Sequence, residues 1–206
     1  MKRNSVVVIC AMLLLASACT KDPLKDLTDE ESRIYITQRD STITFGSFKT
    51  FSIADSVAYI NNNQVVSRFS AVDAQFISAV QNQMQQRGFV LVAKNQTPDL
   101  GITISRVYNT YQGIVEYSNS YYDYWDPFYW GYSGSSYFFP RSYGVYQVTE
   151  GALSIDMLDL RDARATNQIR SIWNGFIRGS GIFNTQSVNS QVEALFNQSP
   201  YLKSNP

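Results

Sequence analysis

Two carboxylates, Asp123 and Asp126, stand inside the stretch YYDYWDPFYWGYSGSSYFFP, which runs from Tyr121 to Pro140. Paired carboxyl groups can cleave a glycosidic bond when they flank it roughly 5–9.5 Å apart. Aromatic faces beside them would suit stacking on a sugar ring. Three-residue spacing within a loop does not set that distance. Glycan cleavage is therefore an alternative to plain glycan binding, and not the leading reading. Other hydrolytic devices are harder to assemble, because the chain contains no histidine. Ser-His and Cys-His nucleophiles need an imidazole, and ordinary zinc sites need His or Cys. The Gly179-Ser180-Gly181 turn lacks the Lys-Ser/Thr of a phosphate loop. No metal, no cofactor and no enzymatic activity are expected.

The second chemically distinctive residue is Cys19. Lys2 and Arg3 precede an apolar run from Val6 to Leu15, which closes on Ala16-Ser17-Ala18 before Cys19. A positive start, an apolar core and small residues make a secretory signal. The run is shorter than the roughly 20 residues a membrane-spanning helix needs. Small residues directly before a cysteine resemble the lipobox of bacterial lipoproteins. By that resemblance residues 1–18 are removed and the Cys19 thiol carries lipid, although the family's usual leucine three positions earlier is here Ala16. Each buried methylene contributes about 0.8 kcal/mol, so two or more acyl chains would hold the protein on a membrane. Cys10 lies inside the signal, so no cysteine pair is left in the mature chain. Loss of Lys2 and Arg3 leaves 15 basic residues against 17 acidic. That balance offers no footprint for nucleic acid.

Residues 19–43 read as a polar tether and 44–201 as a single domain. In SFKTFSI, Phe51 and Ile53 alternate with polar neighbours, which predicts a strand. Asn61 to Gln64 predicts a loop. Phe69, Val72, Phe76, Ala79, Val80 and Met84 recur at three- and four-residue steps, which predicts a helix over about 71–87. Ser70 is placed to cap it, Asp73 to meet its positive end, and Gly88 to stop it. Phe89 to Val92 is apolar on both sides and predicts a short central strand. Leu100, Ile102 and Ile104 alternate with Gly101, Thr103 and Ser105, a pattern for a strand with one wet face. Leu153, Ile155 and Met157 repeat that alternation. Ile169, Trp173 and Ile177 read as one face of a further strand, and Val188, Val192, Leu195 and Phe196 as one side of a last helix. The sum is an α+β fold in two layers: about five mainly antiparallel strands, two helices on one face, and a long aromatic insertion between two strands.

These features resemble a known order. FKTFSI, a helix ending in RGF, PDLGITI, a glycine- and aromatic-rich middle, GALSIDMLD and IRSIWNG before a terminal helix are together similar to the bacterial lipoprotein family called domain of unknown function 4136. The similarity covers about Thr44 to Tyr201. It implies a lipid-anchored envelope protein, and it brings no activity, substrate or catalytic residue with it.

The insertion, residues 107–146, is the feature that composition marks out. From Tyr108 to Tyr146 it holds 16 aromatic residues, 11 of them tyrosine, whereas aromatics make up 14% of the whole chain. Excursions of such length are usually functional or disordered. One reading lets some rings cover an open sheet face. The other makes Tyr121, Tyr122, Tyr124, Trp125, Phe128, Tyr129, Trp130 and Tyr132 a contact surface, because Tyr and Trp offer large area at low entropic cost. The expected partners would then be the membrane through Cys19, at the outer membrane, and an envelope protein or glycan through the rings. Deletion of Asn119–Ser142 is expected to spare the fold if the rings serve contact alone.

Overall fold

A computed structural model of the chain describes residues 27–61, 64–108, 130, 136–138, 151–161, 163–166 and 168–205. It is a mixed α/β fold built on one open sheet. In chain order the elements are β1 (Ile34–Arg39), β2 (Thr50–Ile53), β3 (Val57–Asn61), β4 (Gln64–Arg68), α1 (Ala71–Gln86), β5 (Val90–Leu91), β6 (Leu100–Tyr108), β7 (Ser136–Phe138), β8 (Ala152–Asp159), a one-turn α2 (Ala163–Thr166), β9 (Gln168–Arg178) and α3 (Val188–Asn197). The main path of the sheet runs β1-β9-β8-β6-β2-β5. The hairpin β3–β4 lies along the outer half of β6, and β7 lies along the start of β9.

The sheet is somewhat larger and more mixed than the expected sheet of about five mainly antiparallel strands. β1, β9, β8 and β6 pair antiparallel in turn. β2 and β3 both run parallel to β6, and β5 runs parallel to β2. The cause is α1, which carries the chain back along the sheet as a crossover, so that the next strand repeats the direction of β2. β1 lies inside the segment read as tether. Its sequence, IYITQR, is half polar because an edge strand buries little.

Long side chains from both helices pack on one face of the sheet. Phe76, Val80 and Met84 of α1 and Val192, Leu195 and Phe196 of α3 meet Leu100, Ile102, Ile104, Leu153, Ile155 and Met157. Two positions depart from the helix-face pattern. Phe69 is 62% exposed, because it precedes the cap and is not carried round by the helix. β5 is an edge strand, not a central one, and Val90 is 58% exposed. Gly88 stops α1 with a φ of +88°, in the left-handed region that favours glycine. Arg87 then ties the two helix ends together. Its Nη2 donates to the Phe196 carbonyl at 2.8 Å, and Ser204 N donates to the Arg87 carbonyl at 2.9 Å.

β8 and β9 contain a bulge at Met157/Leu158. Met157 faces Trp173 and Leu158 faces Ser171, so Ile172 is the extra residue. Alternation therefore changes phase there. Trp173 and Ile177 stay on the helix face, while Ile169 goes to the opposite face. The expected common face for the three breaks at that point.

Candidate functional site

The face turned away from the helices was expected to be wet. It is buried. Gly101, Thr103 and Ser105 of β6, and Ser154 and Asp156 of β8, are all buried, as is Asn174 of β9. Strand register aligns these residues in rows. Thr103 lies opposite Asp156, Asp156 opposite Asn174, and Asn174 opposite Gln38 of β1. Ser105 lies opposite Ser154 in the next row. Asn174 Nδ2 donates to Asp156 Oδ1 at 2.9 Å and to Ser154 Oγ at 2.7 Å, and Ser154 Oγ donates to Asp156 Oδ2 at 3.1 Å. A buried carboxylate held by an amide and a hydroxyl in the middle of a sheet can accept further donors, since a carboxylate has about four lone-pair sites.

Apolar clusters close both ends of these rows. At one end Val107, Ala152 and Phe176 pack with Ile36 and Ile60. At the other, Trp130 packs with Leu158, Leu160, Ala163 and Ile169. Trp130 is only 4% exposed. A Cβ added at Gly101 would come within 3.0 Å of its Cε2 and Cζ2. The indole thus lies almost against the β6 backbone, which is why this strand has a glycine there. Trp130 was placed in the contact surface by sequence; the fold makes it a cover for the sheet, because a ring that reaches this face loses its water on both sides. Tyr121, Tyr122, Tyr124, Trp125, Phe128, Tyr129 and Tyr132 lie outside the described residues, as do Asp123, Asp126 and Cys19. The span Asn119–Ser142 contains both Trp130 and β7, so its deletion removes part of the fold, contrary to expectation.

The described carboxylates are mostly committed to structure. Asp73, read as a helix-dipole partner, does accept from Ser70 N at 2.8 Å and from Ser70 Oγ at 2.6 Å. It also forms a fully buried ion pair with Arg106 of β6, at 2.5 Å, and accepts from Tyr59 Oη at 2.8 Å. Arg106 lies over the rings of Phe183 and Tyr59, at 4.3 and 5.0 Å. Burial, aided by the bond to Asp73, holds the Tyr59 hydroxyl above the usual tyrosine range, so it stays a donor. Sequence periodicity could not reveal this cluster, since Arg106 continues the apolar row of Ile102 and Ile104. Asp99 Oδ2 accepts from the Lys49 and Thr50 amides at 2.6 and 3.0 Å and so aligns β2 with β6. Asp73 and Asp156 lie on opposite faces of the sheet and cannot flank one bond. Among the described residues no group of three His, Cys, Asp or Glu is arranged to hold a metal ion. On the helix side, a groove of about 530 Å³ separates α1 from the β2–β5 edge and is lined by Ile53, Asp55, Ile77, Gln81 and Lys94.

Asp40, just after β1, pairs with Arg170 of β9 and accepts from Thr42 N and Oγ1. Burial pushes its carboxyl up, but Thr42 and Arg170 outweigh burial and hold it below the usual range. Its contribution to stability is therefore full above the unfolded value, about pH 3.9, and is lost as pH falls through the lower folded value. Thermal melts from pH 6 to pH 2 should show Asp40→Asn less stable than wild type at the upper end, with the gap closing on acidification. A gap that stays constant across the series would remove the ion pair from the account of β1 docking.

A family model described as a domain of unknown function (DUF4136) matches residues 36–201. The match begins within β1. No curated protein matches the chain. Among solved structures, a DUF4136 family protein from Bacteroides thetaiotaomicron is similar, at 24% identity and a TM-score of 0.68, over 85% of this chain and 99% of that one. That likeness supports the fold. A PDZ domain protein from Parabacteroides distasonis is more distant, with 14% identity, a TM-score of 0.46, and 84% of this chain against 37% of its own. The PelC dodecamer from Paraburkholderia phytofirmans has 10% identity and a TM-score of 0.41, over 84% of this chain and 99% of its own.

Proposed function

This chain belongs to the DUF4136 family, and on that premise we propose that it is a lipid-anchored, non-enzymatic binding or structural module of the bacterial cell envelope, held at the outer membrane through Cys19. The observation that supports a contact role for the aromatic tract is its attachment. The tract is tied to the sheet at its exit (Tyr108), at Trp130, at β7 and at its return (Gly151). Trp130 serves as the root, and the rings before it, Tyr121, Tyr122, Tyr124 and Trp125, serve as the contact surface for an envelope protein or glycan.

Two variants separate anchor from surface. Cys19→Ala should lose acyl labelling and leave the membrane fraction, and a variant still processed and membrane-bound would overturn the anchor. Serine at Tyr121, Tyr122, Tyr124 and Trp125 together should shift stability by no more than about 0.5 kcal/mol per site, yet abolish crosslinks formed from this stretch in intact cells. Crosslinks that persist unchanged would place the contact elsewhere.

A further inference from the structure

The strand register brings several chain crossings to one end of the sheet. β1 begins there, with Ile34 opposite Arg178, and β9 ends there. Ala152, at the start of β8, lies opposite both Arg178 and Val107 of β6. The aromatic connection thus leaves, after Tyr108, and returns, at Gly151, on the same end at which the chain enters the domain.

The entering segment is fastened to that end. Arg33 Nε and Nη2 donate to the carbonyls of Ser180 and Gly181 at 3.2 and 3.3 Å. Ser180 N donates to Ser32 Oγ at 3.2 Å. Thr28 N and Oγ1 donate to Glu31 at 3.0 and 2.8 Å. The bonded segment therefore begins at Thr28, with only eight residues between it and Cys19. Such a span reaches at most roughly 28 Å when fully extended, and about 16 Å as a flexible coil. β9, with eleven residues, sets the height of the sheet at about 36 Å. The tether is thus no longer than the body it carries. Two large apolar side chains are exposed at this end, Leu27 at 41% and Ile34 at 43%.

We propose that this end of the domain rests against the lipid surface itself, with Leu27 and Ile34 at the headgroup layer and both ends of the aromatic connection beside it. The inference rests on the lipid-anchor reading. A short tether confines the near end to the bilayer, and exposed apolar groups there gain by burial in the interface.

The test uses the full lipidated chain in vesicles of phosphatidylethanolamine and phosphatidylglycerol that carry a headgroup nitroxide quencher. Acylation occupies the Cys19 sulfur, so a thiol-reactive fluorophore reports only an introduced cysteine. Glu30→Cys marks the near end. Gln168→Cys, exposed at the first residue of β9, marks the far end. The near label should be quenched severalfold more than the far one, and Leu27→Ser with Ile34→Ser should reduce that excess while the vesicles still carry the protein on flotation. Equal quenching on floating vesicles would overturn the orientation and leave the anchor standing. Failure to float would overturn the anchor, and the orientation with it.

Discussion

Asp73→Ala is expected to destabilise the domain by about 3–5 kcal/mol, the cost of breaking a buried ion pair by removing one partner. Domains are stable by only about 5–15 kcal/mol, so the effect would be plain in a urea or thermal melt. Three consequences combine. Arg106 keeps its charge in a site that excludes water. Tyr59 Oη and Ser70 lose an acceptor. The first turn of α1 loses the carboxylate that receives the Ser70 amide. Arg106→Met in the Asp73→Ala background removes the stranded charge and should recover a large part of the loss, because the two residues are coupled. The pair links the start of α1 to the end of β6, so it fixes where the helix sits on the sheet. A cost below about 1 kcal/mol for Asp73→Ala would match an exposed pair and would contradict the burial of this one.

Trp130→Ala should cost about 3–5 kcal/mol, as removal of a buried tryptophan does. Gly101→Ala should cost about 1–3 kcal/mol by overpacking. Its methyl group would press on Leu160 Cδ1 at 2.9 Å and on the indole at 3.0 Å. The two changes should not add. With the indole gone, the alanine methyl has only Leu160 to displace, so Gly101→Ala in the Trp130→Ala background should cost clearly less than it does alone. This cycle separates cover from contact at a single position. A contact tryptophan on the surface would give a stability change near zero and no coupling to Gly101. Full additivity would show that ring and strand do not meet.

The regular elements that bury one face were legible from residue types. Phe76, Val80 and Met84 mark α1 because a helix repeats every 3.6 residues and only one side meets the core. Gly88 marks its end because few other residues tolerate that backbone. Val192, Leu195 and Phe196 mark α3, and the alternation in β6 and β8 marks two central strands. Elements without a clean alternation were not legible. β1 is a half-polar edge, and β3 buries the adjacent pair Val57 and Ala58. β5 looked central because all four residues of Phe89–Val92 are apolar, although among the described residues it pairs on one side only.

From the amino acids alone came the expectation of a leader ending before Cys19, the absence of histidine, the family's order of motifs, and the helix that covers one side of the sheet. These are local properties, readable wherever composition or a short repeat carries the physics. Tertiary structure decided that the second side is also dry, that Asp156 and Asn174 meet across strands, that Arg106 neutralises Asp73, and that Trp130 lies on Gly101. Each of those depends on which strands become neighbours and in what register. One bulge in β9 was enough to send Ile169 to the other face. Long-range pairing of this kind is set by the whole packed chain, and no short window of residues contains it.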